Sequence, residues 1–321
     1  PVYTGGRLLE TIRMAKHQHS LAAHQAEYFR SAVCYQTDMQ YWNTVARAEL
    51  LQVATDYRNS IASLAKTIRE RVEAGLVDPQ DLLMAEVKLN EAEYQLLQAK
   101  SNLETGRMAL NSLIGMELNK TTEVEDSIPS IVMNEELWNL DGCNRPELKM
   151  AYDQINIAKS SKKLTDSKYK PQLYVGIEGS YSSPRYNFKS DLDPNYAVYA
   201  KLSVPIFEWG KRRNEKQASS FQVGAATDNL HQVSDHVNLE VQTARVSLSQ
   251  AMEQVQLTGN SLDKARENER MALERYAEGK VSVVEVIEAQ NYRQVSQTNY
   301  VQAKVSAQGH YSALLKALNR Y

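Results

Sequence analysis

The sequence predicts a mainly α protein with one β-hairpin of membrane-spanning length, its helices paired as long antiparallel coiled coils. Three observations lead there. The chain repeats itself at a fixed offset of 204 residues. Each copy holds a very long stretch almost free of Pro and Gly. Between the copies, one short region switches to a two-residue hydrophobic period.

The repeat runs without gaps. Pro1-Val2-Tyr3-Thr4-Gly5-Gly6-Arg7 answers Pro205-Ile206-Phe207-Glu208-Trp209-Gly210-Lys211, and Glu70-Arg71-Val72-Glu73-Ala74-Gly75 answers Glu274-Arg275-Tyr276-Ala277-Glu278-Gly279. Gln98-Ala99-Lys100 answers Gln302-Ala303-Lys304. Overall identity between the copies is low. The matches cluster where a backbone is most constrained, so one supersecondary unit is used twice.

Residues 1–115 and 205–321 read as the two coiled-coil hairpins. Neither Pro nor Gly occurs between Gly6 and Gly75, and only Gly224 and Gly259 interrupt the stretch from Lys211 to Glu278. Each reads as one helix, or two nearly collinear ones, of roughly 68 residues and about 100 Å. No compact domain of this size could enclose such a rod. Gly75 suits a left-handed helix stop, Asp78 an N-cap and Pro79 the first helical position. In the second copy Gly279 stops the helix and Ser282-Val283-Val284-Glu285 forms a capping box. The chain therefore reverses twice.

The first return helix carries a heptad. Leu82, Leu89, Leu96, Leu103 and Leu110 form a large column, and Ala85, Ala92, Ala99, Gly106 and Leu113 the other seam position. A large column beside a small one lets helices approach closely. In the second copy Ala289, Ser296, Ala303 and Ala317 keep the small column, with His310 as an exception, but Arg293 breaks the large one, so its facing surface must differ. Residues 116–146 lose the pattern and read as an irregular, equatorial segment at mid-height on the rod. Residues 147–172 read as a half-length helix of the second repeat. The second copy's own half-length partner, with a first hairpin, is expected upstream of Pro1.

Residues 173–204 read as the hairpin. Leu173, Val175, Ile177, Gly179 and Tyr181 alternate with Tyr174, Gly176, Glu178 and Ser180; Tyr196, Val198, Ala200 and Leu202 alternate with Ala197, Tyr199, Lys201 and Ser203. Strict alternation marks strands with one apolar and one polar face, at the shortest length that crosses a bilayer. Tyr181, Tyr186, Phe188 and Tyr196 cluster at one end and Phe207 and Trp209 at the other, as aromatic girdles do. A lone hairpin is not stable and both its edges need partners, which forces oligomerisation or pairing with an upstream hairpin.

Composition narrows the function. The net charge is -2 and no basic stripe appears, which argues against nucleic acid. No run of 18 apolar residues could form a transmembrane helix. Cys34 and Cys143 read as unrelated residues. His17, His19 and His24 lack the spacing and the companion ligands of a metal site, so no metal or cofactor is expected. No phosphate-binding glycine loop, nucleophile elbow or paired catalytic constellation is present, and the chain reads as non-enzymatic.

A hairpin followed by Pro205-Ile206-Phe207-Glu208-Trp209-Gly210-Lys211, a very long helix, a Gly-bearing turn and a return helix resembles the TolC-type outer membrane efflux family. Asn144-Arg145-Pro146-Glu147-Leu148 and Lys170-Pro171-Gln172-Leu173 extend the resemblance, which covers essentially the whole chain. It implies a homotrimeric α-helical tunnel in the periplasm plus a shared twelve-stranded barrel in outer membrane lipid. Each protomer would give four strands, of which this sequence carries two. It also implies a periplasmic adaptor protein as partner and, through it, an inner-membrane pump. A soluble coiled-coil scaffold capped by a hairpin is the competing reading.

The resemblance also assigns the turn region. Glu285 and Glu288 align with the family's constricting acids, Asp81 with the acid of its gate-holding contact and Tyr276 with the tyrosine of that contact. The partner arginine of the best-known members falls on Val281, so one polar tether is missing. Under threefold symmetry Glu285 and Glu288 would stack as carboxylate rings that attract cations. Asp81 and Glu285 also occupy the third helical position, where a carboxylate caps a helix. The tips Gly75-Leu76-Val77 and Gly279-Lys280-Val281-Ser282 match the family's adaptor-contacting turns. Glu178 and Lys201 lie on the polar strand faces and would point into the barrel lumen, where they could pair across the hairpin.

Overall fold

The computed structural model describes residues 1–132, 135–183, 190 and 192–321. In chain order the elements are β1 (Tyr3–Thr4), α1 (Arg7–Glu73), α2 (Pro79–Ile114), α3 (Glu135–Trp138), α4 (Pro146–Ser167), β2 (Gln172–Ser182), β3 (Asp193–Ser203), α5 (Lys211–Ala277) and α6 (Val283–Ala317). A single 3-10 turn, Gly142–Asn144, precedes α4. Both long stretches form one unbroken helix of 67 residues each. The half-length helix starts on Pro146 and stops at Ser167, a few residues short of the sequence boundary, because three successive turn hydrogen bonds from Lys168, Tyr169 and Lys170 close its end. No described helix is both long and apolar enough to cross a membrane.

The chain divides into two compact units. The first comprises Pro1–Phe29 and Cys143–Val237. Its sheet has the order β1-β2-β3, antiparallel throughout. β2 and β3 are 11 residues each, long enough to cross a bilayer when tilted. Their register opposes Leu173 to Leu202, Val175 to Ala200 and Ile177 to Val198, which gathers the apolar positions on one face. Val175, Ile177, Val198 and Leu202 stay exposed on that face. Gly176 sits opposite Tyr199, and a Cβ there would meet the Tyr199 ring at 2.6 Å, so the missing side chain lets the ring lie across the strand. β1 was not legible in the sequence; it pairs Tyr3 with Leu173 and occupies the free edge of β2. Tyr186 and Phe188 lie outside the described residues. The helices of this unit meet through small and polar side chains, with Ala151, Ser160, Ser167 and Ser219 buried. His24 Nδ1 lies 2.9 Å from the Asp153 carboxylate and ties α1 to α4.

The second unit comprises Arg30–Gly142 and Asn238–Tyr321 and holds the apolar clusters. The α2 heptad packs as its spacing predicts: Ala85, Ala92, Leu103, Gly106 and Leu110 are buried. Ala92 meets Tyr57 and Ile61 of α1, and full burial of a side chain such as Ile61 is worth about 1.5–3 kcal/mol. A Cβ on Gly106 would meet Arg47 Cδ at 2.8 Å. Without it Arg47 lies across α2 and donates to the Asn102 carbonyl at 2.7 Å. Leu113 departs from the seam and is exposed, because the buried Asn111 takes over the end of the helix. The Asn111 amide donates to the carbonyls of Glu117, Leu118 and Lys120 and so folds the chain back.

α6 is far more enclosed than α2. It buries fourteen residues, among them Gln290, Lys304, Gln308 and Ser312. Arg293, which breaks the large column, meets Glu269 of α5 at 3.1 Å. Lys304 meets Glu49 of α1 at 2.5 Å. The irregular segment is pinned to these helices by Gln308 donating to the Pro129 carbonyl and Arg245 to the Leu140 carbonyl. Cys34 and Cys143 are free thiols.

Candidate functional site at the helical turns

The two reversals of the second unit are one structure made twice. Gly75 takes φ +70° and Gly279 φ +72°, a left-handed region that other residues rarely enter. Gly75 N–H donates to Val72 O and Leu76 N–H to Arg71 O; Gly279 N–H donates to Tyr276 O and Lys280 N–H to Arg275 O. These are paired Schellman closures at equivalent positions. The following helices are capped by side chains. Asp78 accepts from the Gln80 N–H at 2.8 Å. Ser282 and Glu285 exchange hydrogen bonds in a complete capping box. Val77 and Val281 turn inward onto the apolar cluster, whereas Leu76, Lys280 and Ser282 are exposed. Lys280 pairs with Glu278 at 2.7 Å.

Beneath the turns lies a cluster built from every long helix of the unit: Leu64, Ala65 and Ile68 of α1, Ala85 of α2, Tyr276 of α5, and Val283, Val286 and Ile287 of α6. Tyr276 is thus a core residue. Its hydroxyl is buried without a hydrogen-bond partner among the described residues, and no hydrogen bond joins it to Asp81. Its ring is covered by Arg71, whose guanidinium carbon lies 4.6 Å from the ring centre. Arg71 also donates to the carbonyls of Tyr276 at 3.2 Å and Ala277 at 3.3 Å. A cation is favourable against the free carbonyls at a helix C-terminus. No motif in the sequence marks Arg71. The signal available was its match to Arg275, a basic residue in the last turn of both long helices.

Glu285 and Glu288 are exposed and Asp81 is half-buried. The structure gives Glu285 a capping role and leaves Glu288 with none. Glu288 borders an apolar groove of about 590 Å³ between α2 and α6, walled by Leu83, Met84, Val87, Val284 and Ile287. Lys88 borders it too, and its hydrogen bond to Glu91 at 2.7 Å holds the ammonium above its ordinary range. In the first unit, Glu178 faces Ala197 and Lys201 faces Tyr174. They share a face but stand four positions apart along the ladder, about 13 Å, too far to pair. Among the described residues no group of three His, Cys, Asp or Glu could hold a metal ion.

Residues 1–116 and 140–320 match the family model described as outer membrane efflux protein. The chain belongs to the outer membrane efflux protein family. A cobalt-zinc-cadmium resistance protein, CzcC of Cupriavidus metallidurans, is 24% identical over 302 residues, covering 90% of this chain and 68% of the relative. The outer membrane channel CmeC of Campylobacter jejuni superposes with a TM-score of 0.77 at 18% identity, covering 98% of this chain and 68% of that one. The outer membrane protein VceC of Vibrio cholerae superposes at 0.83 and 15% identity, covering 98% and 76%. At those identities the superpositions establish the fold, a helical-tunnel architecture. As an outer membrane efflux protein, the chain is a channel component of the outer membrane with most of its mass in the periplasm, and the family is not one of enzymes. Membership decides against a soluble coiled-coil scaffold.

Proposed function

We propose that three copies of this chain form a passive exit duct of a tripartite efflux or type I secretion system. The turns around Gly75 and Gly279 meet a periplasmic adaptor protein, and an inner-membrane pump supplies the energy. The observation that carries this reading is the duplicated turn: two identical backbone closures, each presenting an exposed tip, with exposed acids directly behind the second. A trimer is supported by apolar surface with no cover in one chain. Leu83, Val87, Tyr94 and Leu97 form a second stripe on α2, exposed opposite its packed seam. Asp81, Tyr276, Glu285 and Glu288 are the aperture residues of this reading. Glu178 and Lys201 line the lumen of the shared barrel.

In planar bilayers, Glu285→Gln with Glu288→Gln should raise anion permeability relative to cations. Unchanged ion selectivity would remove the acids from the conduction path. Leu76→Asp with Lys280→Glu alters exposed tip side chains without straining the turn, and should weaken adaptor co-purification while the trimer persists. Unchanged adaptor recovery would refute the tip assignment. CzcC is named for cobalt, zinc and cadmium resistance, and acids at an aperture suit cations, so those ions are the first cargo to test in cells lacking this chain.

A further inference from the structure

The strip that leaves β3 and enters α5 is apolar, aromatic and then strongly basic, and the described residues leave it open. Ile206 is 93%, Phe207 71% and Trp209 90% exposed. The Phe207 and Trp209 rings meet edge-on at 5.0 Å. Trp209 takes φ 47°, where its counterpart in the first copy is Gly5. A bulky residue in that region is disfavoured by clash between its Cβ and the backbone. Lys211, Arg212 and Arg213 follow, all exposed, in a first helical turn that contains no acid. Cations there oppose the helix dipole. Their first-copy counterparts are Arg7, Leu8 and Leu9, so the second copy adds charge against the local preference. The adjacent end of α4 is basic as well, with Lys162, Lys163, Lys168 and Lys170. One acid, Glu208, lies within the strip, and the nearby Glu215 meets Lys168 at 3.4 Å and is also felt by Lys211, so the cations outnumber the acids. Arg212 leans on the Tyr169 ring at 5.9 Å, and Arg213 forms no ion pair among the described residues.

Exposed rings are unfavourable in water and cations in the first turn of a helix oppose its dipole, and one environment relieves both. At a bilayer interface aromatic rings sit at headgroup level and anionic phosphates attract Lys and Arg. The strip continues directly from β3, whose Val198 and Leu202 are exposed on the apolar sheet face. It lies at the helix-bearing end of the hairpin, which faces the periplasm in an outer membrane protein of this fold. We propose that residues 206–213 form a lipid-binding strip that takes anionic phospholipid from the periplasm-facing leaflet. Ile206, Phe207 and Trp209 lie among the headgroups, and Lys211, Arg212 and Arg213 hold the phosphate. The proposal rests on the outer membrane location and is independent of the adaptor and aperture assignments.

The test is a titration of the full-length, detergent-solubilised protein with phosphatidylglycerol and, separately, phosphatidylcholine, counting bound lipids by native mass spectrometry. Phosphatidylglycerol should bind more tightly. Each cation near an anionic surface contributes about fivefold, so Lys211→Gln, Arg212→Gln and Arg213→Gln together should weaken it on the order of 100-fold and leave phosphatidylcholine unchanged. A second reading does not depend on that variant folding. The emission lost in Trp209→Phe should be quenched in wild type by phosphatidylglycerol brominated near the glycerol end of its chains. Equal affinity for the two lipids, an unchanged triple variant or an unquenched Trp209 would each overturn the proposal.

Discussion

Arg71→Ala isolates the contact that joins α1 to the end of α5. The side chain supplies two charge-assisted hydrogen bonds, at 3.2 and 3.3 Å, to the Tyr276 and Ala277 carbonyls, and covers the Tyr276 ring at 4.6 Å. The 3.3 Å bond is exposed and contributes little; the 3.2 Å bond belongs at the low end of its range, and with the ring contact the total is about 2 kcal/mol. That energy opposes local opening of the turn, which must break Gly279 N–H to Tyr276 O and Lys280 N–H to Arg275 O. Amide exchange at Gly279 and Lys280 should therefore accelerate roughly 30-fold in Arg71→Ala. Arg71→Lys keeps the charge but cannot fork to two carbonyls, and should fall between, at roughly fivefold. Arg275 is the repeat-equivalent residue, is exposed and forms no such bridge among the described residues, so Arg275→Ala is the matched control. Exchange at Gly279 and Lys280 within twofold of wild type in Arg71→Ala would show that the apolar cluster alone holds the junction.

Lys304→Met should destabilise by about 3–5 kcal/mol, because it strands the largely buried Glu49 carboxylate, whereas Lys304→Met with Glu49→Leu should recover much of the loss; denaturant midpoints of the three proteins decide this. Burial holds the Tyr57 phenol above its ordinary range, so its contribution is complete below the unfolded value near pH 10 and is lost as pH rises toward the folded one. Tyr57→Phe should accordingly retain more helical signal than wild type in an alkaline titration above about pH 10, with little difference at neutral pH.

Local chemistry was readable wherever a few adjacent residues determine the backbone. Gly75, Asp78-Pro79, Gly279 and Ser282 with Glu285 each carry their own geometric requirement, and the turns form where those residues stand. The strands were readable for the same reason, since a two-residue period fixes which face is apolar. What could not be read depends on a third partner. A heptad reports one seam, so it revealed how α2 meets α1 but not that α6 is enclosed by both α1 and α5. Gln290, Lys304 and Ser312 look like ordinary surface residues in sequence and are buried because of that enclosure. The resemblance makes Tyr276 a gate contact, but its burial depends on Leu64, Ile68 and Ile287, on two other helices, which one stretch of sequence cannot show. The separation of Glu178 from Lys201 follows from strand register, which alternation alone leaves free.

The repeat itself separates what the backbone requires from what later divergence added. All eight described residues with positive φ form four pairs 204 positions apart: Gly5 with Trp209, Gly6 with Gly210, Gly75 with Gly279, and Gly115 with Asn319. The path of the chain is therefore duplicated even where side chains are not. Two pairs have exchanged glycine for another residue, and the two exchanges differ in consequence. Asn enters the left-handed region readily, and Asn319 closes α6 with the bonds expected there, Asn319 N–H to Lys316 O and Arg320 N–H to Leu315 O. Trp has no such tolerance and costs about 1 kcal/mol or more at that backbone angle. Within the described residues Phe207 is the ring that meets it, and nothing buries either. A strained backbone that leaves a large apolar ring in water gains nothing from the described residues, and the proposed lipid contact is what would offset that cost.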